Sequence, residues 1–87
     1  MDEDEIYEVK ETIKLIAELK QAEDCEEMHD IVHSYDLPDV SRLFYMGLIE
    51  GMQCFCDELS KIKEELIDSI NSHNEELFDD YKKYKEL

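Results

Sequence analysis

An all-α fold follows from three features of this 87-residue sequence. Glu, Asp, Leu, Lys and Ile are the commonest residues, a mix that favours helix. One proline and two glycines leave little to interrupt a helix, and the β-branched runs that strands need are few. Apolar residues also recur at steps of three and four in every segment. The expected architecture is three to four helices in one domain over 1–87. A long central helix over about 38–70 is packed by two N-terminal helices and followed by a short C-terminal helix. A chain this short buries only about 60% of its unfolded surface, so a dimeric bundle is expected to complete the core.

The first helix is expected over about 2–22. Ile6, Val9, Ile13, Ile16 and Ala17 recur at helical spacing, with Leu15 and Leu19 widening the stripe. Acids crowd its first turn, where the helix dipole favours them. A break follows near Glu23–Asp24. Asp24 can cap a second helix, with Glu27 completing a capping-box pattern. That helix, about 25–35, aligns Cys25, Met28, Ile31, Val32 and Tyr35 on one face. Pro38 then disfavours helix at Leu37 and suits the first turn of a third, with Asp36 or Leu37 near the cap.

The third helix carries a heptad-like seam of Leu48, Met52, Phe55, Leu59, Ile62 and Leu66, reaching back to Tyr45 and Ser41. Uninterrupted, it would be about 50 Å long at 1.5 Å per residue. Within it, the stretch from Leu43 to Cys56 is the most apolar part of the chain. Its 14 residues are interrupted by Glu50 and Gln53, and a membrane span needs roughly 20 apolar residues. It is therefore read as packed core. Gly47 and Gly51 each cost about 1 kcal/mol against Ala inside a helix. Close approach of another helix is the expected compensation. Leu43, Gly47 and Cys54 make a second face, to be covered by the last helix or by a second protomer. Glu50 is read as a rim residue or as a buried carboxylate paired with Arg42 or a histidine. Asn71–Asn74 is the next expected break, with Ser72 and Glu75 as a second capping box. The last helix, about 73–87, offers Leu77, Phe78, Tyr81 and Tyr84, with Lys82, Lys83 and Lys85 where the dipole favours cations.

Charge narrows the functional classes. Twenty-five acids against nine bases give −16. Direct nucleic-acid binding is not expected, because phosphates need Lys and Arg to neutralise them. Anionic membranes are disfavoured for the same reason. A basic protein surface, or a divalent cation, is the better-matched partner, and the basic protein surface is the expected one. Cys25, Cys54 and Cys56 are an odd count, and Met1-Asp-Glu-Asp-Glu5 is the opposite of a basic leader. A cytoplasmic protein with reduced thiols is expected.

Metal and catalytic readings are weaker. Cys25, His29 and His33 share a helix face, and Glu26 with His29 has the Glu-x-x-His spacing of di-iron bundles. Such bundles need two of these motifs, and Asp30 with His33 is a poor copy. Cys54-x-Cys56 diverges by about 200° on a helix. There is no Gly-rich phosphate loop or nucleophile elbow, and nothing orients His29 as a base for Cys25. No enzyme activity, metal or cofactor is expected. Tyr7, Tyr35, Tyr45, Tyr81 and Tyr84 fit contact surfaces or core edges.

On charge and size, although not on any aligned residue, the chain looks like the small acidic proteins by which phages and mobile elements block host nucleases, as in anti-restriction and anti-CRISPR proteins. That likeness implies a non-catalytic inhibitor occupying the nucleic-acid-binding surface of a nuclease or related protein in the manner of a DNA mimic. Three acidic sets would make the contact. They are Asp2, Glu3, Asp4, Glu5, Glu8 and Glu11; then Glu23, Asp24, Glu26, Glu27 and Asp30; then Glu64, Glu65, Asp68, Glu75, Glu76, Asp79 and Asp80. The alternative is a homo-oligomeric adaptor. It would pair through Gly47, Leu48, Gly51, Met52, Phe55, Leu59, Ile62 and Leu66 with little salt dependence. A metal-binding bundle is the third reading.

Overall fold

The computed structural model of the chain describes residues 1–55 and 57–86. Those residues form five helices and no strand: α1 (Glu3–Gln21), α2 (Cys25–Ser34), α3 (Asp39–Gln53), α4 (Leu59–His73) and α5 (Glu75–Glu86). The starts of α1 and α2 follow side-chain chemistry. Asp2 caps α1 in a full capping box, accepting from the Glu5 N–H at 2.8 Å while Glu5 reaches back to the Asp2 N–H. Asp24 caps α2, accepting from the Glu27 N–H at 2.7 Å. The Glu27 carboxylate reaches one residue further back than expected, to the Glu23 N–H at 3.0 Å. Pro38 itself is the N-cap of α3. Arg42 braces that corner, donating from Nη2 to the Leu37 carbonyl at 3.1 Å.

The long central helix is not formed. The seam that was expected to run unbroken over 38–70 is cut between Gln53 and Leu59. The Cys54 N–H turns back to the Gly51 carbonyl (3.2 Å) and the Phe55 N–H to that of Met52 (3.1 Å), the tight bonding of a closing helix end. The reason lies in burial. A continuous rod would leave its own seam in water. Reversal after Gln53 folds the two halves against each other. Tyr45 and Ile49 of α3 and Ile62, Leu66 and Ile70 of α4 are then buried in one cluster. Five helices replace the three to four expected.

The Asn71–Asn74 break is also smaller than the sequence suggests. α4 runs through Ser72, which is therefore inside a helix and caps nothing. The ladder nearly continues across Asn74, whose N–H donates to Ile70 (3.1 Å) and whose carbonyl accepts from Phe78 (2.8 Å). α4 and α5 laid end to end are about 42 Å long, close to the molecule's longest dimension of 44 Å.

The packing is up-and-down. α1 runs antiparallel to the α4–α5 rod: Lys63 Nζ donates to the Lys20 carbonyl at 3.0 Å near one end, and Glu5 and Asp80 line one hollow near the other. α2 returns beside α1, with the Tyr7 hydroxyl donating to Asp36 at 3.4 Å. α3 then lies between α2 and α4. The core is Leu15, Leu19, Ala22, Met28, Val32, Leu37, Tyr45, Ile49, Ile62, Leu66 and Ile70. In α1 the deep face is Val9, Thr12, Leu15 and Leu19. Ile13 and Ala17, expected on the buried stripe, are exposed.

Candidate functional site

Two surfaces stand out: the carboxylate-covered exterior and an apolar groove between α3 and α4. The exterior comes first. Of the acids expected to meet a partner, Asp2, Glu3, Asp4, Glu23, Asp24, Glu26, Glu27, Asp30, Glu64, Glu65, Asp68, Glu75, Glu76, Asp79 and Asp80 are exposed. Glu5, Glu8 and Glu11 are half-buried. The antiparallel packing joins sets that lie far apart in sequence. The first turn of α1 sits beside α5, where Glu5 and Asp80 share a hollow with Lys83. At the other end, Glu23 and Asp24 lie beside Asp57 of the α3–α4 connection. Asp57 carries no special sequence signal, and only the chain reversal places it there.

The groove is built by the reversal after Gln53. Its floor is Leu48, Met52 and Ile62. Its α3 rim is Gly47 and Gly51, with Phe55 just past the helix end, and its α4 rim is Lys61 and Glu65, around a volume of about 440 Å³. Glu65 also borders a second hollow of about 400 Å³, lined by Phe44, Asp68, Ser69, Ser72 and His73. The two hollows follow one another along the helix pair. A Cβ placed on Gly47 or Gly51 would meet nothing within 4 Å. Inside this chain, therefore, no helix approaches closely enough to account for the two glycines. The second face of α3 is open as well: Leu43 is 69% exposed, and Gly47 and Cys54 are exposed beside it. α5, one of its two expected covers, packs on α1 instead.

Of the expected packing residues, Ile62 and Leu66 are buried inside the chain. Leu48, Met52 and Leu59 are half-buried, and Gly47, Gly51 and Phe55 are exposed. Val40, 75% exposed, and Phe44, 42%, extend the same apolar rim, although nothing in the sequence singled them out. A count of apolar and small residues at 40, 44, 47, 51 and 55 would have found that stripe.

A polar knot closes the far end of the groove. Asn74 Nδ2 donates to the Tyr45 hydroxyl at 2.7 Å and to the Ile70 carbonyl at 2.8 Å, with all these groups buried. Ser41 Oγ lies 3.2 Å from His73 Nε2, and the His73 ring packs edge-on against Tyr45. Burial raises the Tyr45 phenol above its ordinary value, and the hydrogen bonds from Asn74 and Ser41 offset part of that rise.

His29 Nε2 meets Glu50 Oε1 at 3.3 Å, bridging α2 and α3. Glu50 side-chain exposure is 68%, so it is a rim group and not a buried acid. Cys25 is a half-buried free thiol with no hydrogen bond to His29. Among the described residues no three His, Cys, Asp or Glu side chains converge to hold a metal ion. The Cys54-x-Cys56 pair falls partly outside the described residues, because Cys56 is not among them. No described helix is long and apolar enough to cross a membrane. No family model, curated protein or solved structure matches the chain.

Proposed function

We propose that this chain is a small non-catalytic binding protein of the cytoplasm that occupies a basic nucleic-acid-binding surface on a partner protein, in the style of a DNA mimic. The observation that carries the reading is charge per unit length. A net −16 on a body 44 Å long and 20 Å across is about one negative charge per 3 Å. Duplex DNA presents about one per 1.7 Å of axis. The two densities are of the same order, and the carboxylates stand on packed helices rather than on a floppy tail. A Lys/Arg-lined groove would lose little by exchanging one for the other. Association would be fast at low salt and would fade as salt screens it. A nuclease of a host defence system is the kind of partner this implies.

The test is capture of partners from the native host at low and at high salt. A nucleic-acid-binding protein retained at low salt and released at high salt is the expected result. No partner, or a partner held equally at both, would sink the mimic reading.

A second reading, an adaptor or homodimer joined through apolar surface, is favoured by the exposure of Val40 and Leu43 on α3 and of Phe55 just past its end. It expects a complex insensitive to salt, and self-association that rises with concentration in sedimentation.

A further inference from the structure

We propose that the α3/α4 groove docks an amphipathic helix of the partner, one with an apolar face and a basic flank. This deepens the reading of a basic partner and rests on it. The groove has two unlike walls. The α3 wall is apolar: Phe44 and Phe55 stand at its two ends, and between them Gly47 and Gly51 leave bare backbone with open space above. Leu48, Met52 and Ile62 supply a greasy floor. The α4 wall is acidic. Glu65 borders both hollows and Asp68 follows one turn on. Among the described residues neither carboxylate has an ion-pair partner. Among the described residues lining that wall, Lys61 is the one Lys or Arg, and it lies 3.7 Å from Glu58.

Such a cleft fits a helix that sets anchors at i, i+3 or i+4, and i+7 on the floor. Its Lys or Arg residues would then run along one edge against Glu65 and Asp68. The 15 residues of α3 offer about 22 Å of wall, or four helical turns. Charge argues against a second copy of this chain as the occupant. It would bring another −16. Its own α3 holds a single cation, Arg42, already engaged by Leu37 and Asp39.

The experiment uses a labelled peptide of about 18 residues, long enough to be helical when bound, with Leu at i, i+3, i+4 and i+7 and Lys along one flank. A second peptide keeps the Leu pattern and carries Glu in place of Lys. Fluorescence anisotropy is read for the full chain and three variants. Gly51→Leu fills the groove, and its side chain enters open space, so the fold is kept; circular dichroism verifies this. Glu65→Lys combined with Asp68→Lys reverses the acidic wall. Lys10→Gln, exposed on α1 and outside both hollows and the acidic sets, is the remote control. The Lys peptide is expected to bind and the Glu peptide not. Loss of a central contact typically costs about tenfold or more in affinity, and that loss is expected for Gly51→Leu and for the double reversal, with Lys10→Gln unchanged. No binding of the Lys peptide overturns the proposal. So does equal binding by Gly51→Leu, or a concentration-dependent dimer that Gly51→Leu dissolves. Salt-sensitive capture of a basic host protein by wild type and Gly51→Leu alike overturns the groove while leaving the mimic reading standing. Absence of that capture from both removes the mimic reading itself.

Discussion

Asn74 reads in the sequence as a helix breaker, yet in the fold it is 5% exposed and ties three helices together. One amide donates to Tyr45 on α3 and to Ile70 at the end of α4, while its backbone starts α5. Asn74→Ala would remove one of the two side-chain hydrogen bonds at the buried Tyr45 hydroxyl and leave that to Ser41, at a cost of about 1 kcal/mol. Urea unfolding should show the loss as a lower midpoint with an unchanged slope. Tyr45 gives the knot a pH signature. Its phenol titrates above the ordinary value of about 10 because burial disfavours the phenolate. Above that pH the unfolded chain has released the proton while the folded chain still holds it. The stabilisation is therefore complete below about pH 10 and falls as pH rises toward the folded value. The urea midpoint should drop more steeply with alkali in wild type than in Tyr45→Phe. Equal slopes would mean the phenol is not protected. The sequence marks position 74 as special but not in what way, because its partner Tyr45 lies 29 residues away.

At the scale of elements, the starts of α1 and α2 were legible, since caps act over three or four residues, whereas the start of α4 at Leu59 and the failure of Ser72 as a cap were not. Asp24 and the acidic first turn of α1 sit where local chemistry puts them, while Pro38 marks the corner but is itself the N-cap, one or two residues later than the expected cap. The end of α3 was not legible. Gln53-Cys54-Phe55 contains neither proline nor glycine, and the heptad frame runs straight through it. The chain turns there because α3 and α4 bury more by facing each other than by continuing. The glycines of α3 make a further test. Neither has a positive φ, and a Cβ at either position meets no atom within 4 Å. Gly47→Ala and Gly51→Ala should each therefore raise stability by about 0.5–1 kcal/mol through helix propensity alone. Thermal melts at low protein concentration would check this. A fall in either variant would show that the glycines are needed within the single chain.

For the whole molecule, charge opposes folding. Packing five helices into a body 44 × 20 × 20 Å brings a net −16 together, and the unfolded chain spreads it. Monovalent salt screens exposed charges with a Debye length of about 10 Å at 0.1 M. The melting temperature should accordingly rise on going from low salt to roughly 0.15 M, with most of the gain at the low end. A flat response would mean that local ion pairs, such as Lys14–Glu11 at 3.5 Å, already neutralise the repulsion. The same screening weakens attraction to a basic partner. Salt should thus stabilise the fold while loosening the complex, and that opposition separates the two effects.

The sequence by itself determined the helical class, the Asp24 cap of α2, the proline corner between α2 and α3, and the anionic exterior. All of these rest on composition or on neighbours within one helical turn. Only the tertiary structure decided that the seam folds back on itself, that Asn74 lies inside, and that an apolar groove with one acidic wall stays open between α3 and α4. Each of those depends on which distant side chains compete for the same buried volume. Periodicity along a chain states which residues want to be covered, and packing in three dimensions chooses what covers them.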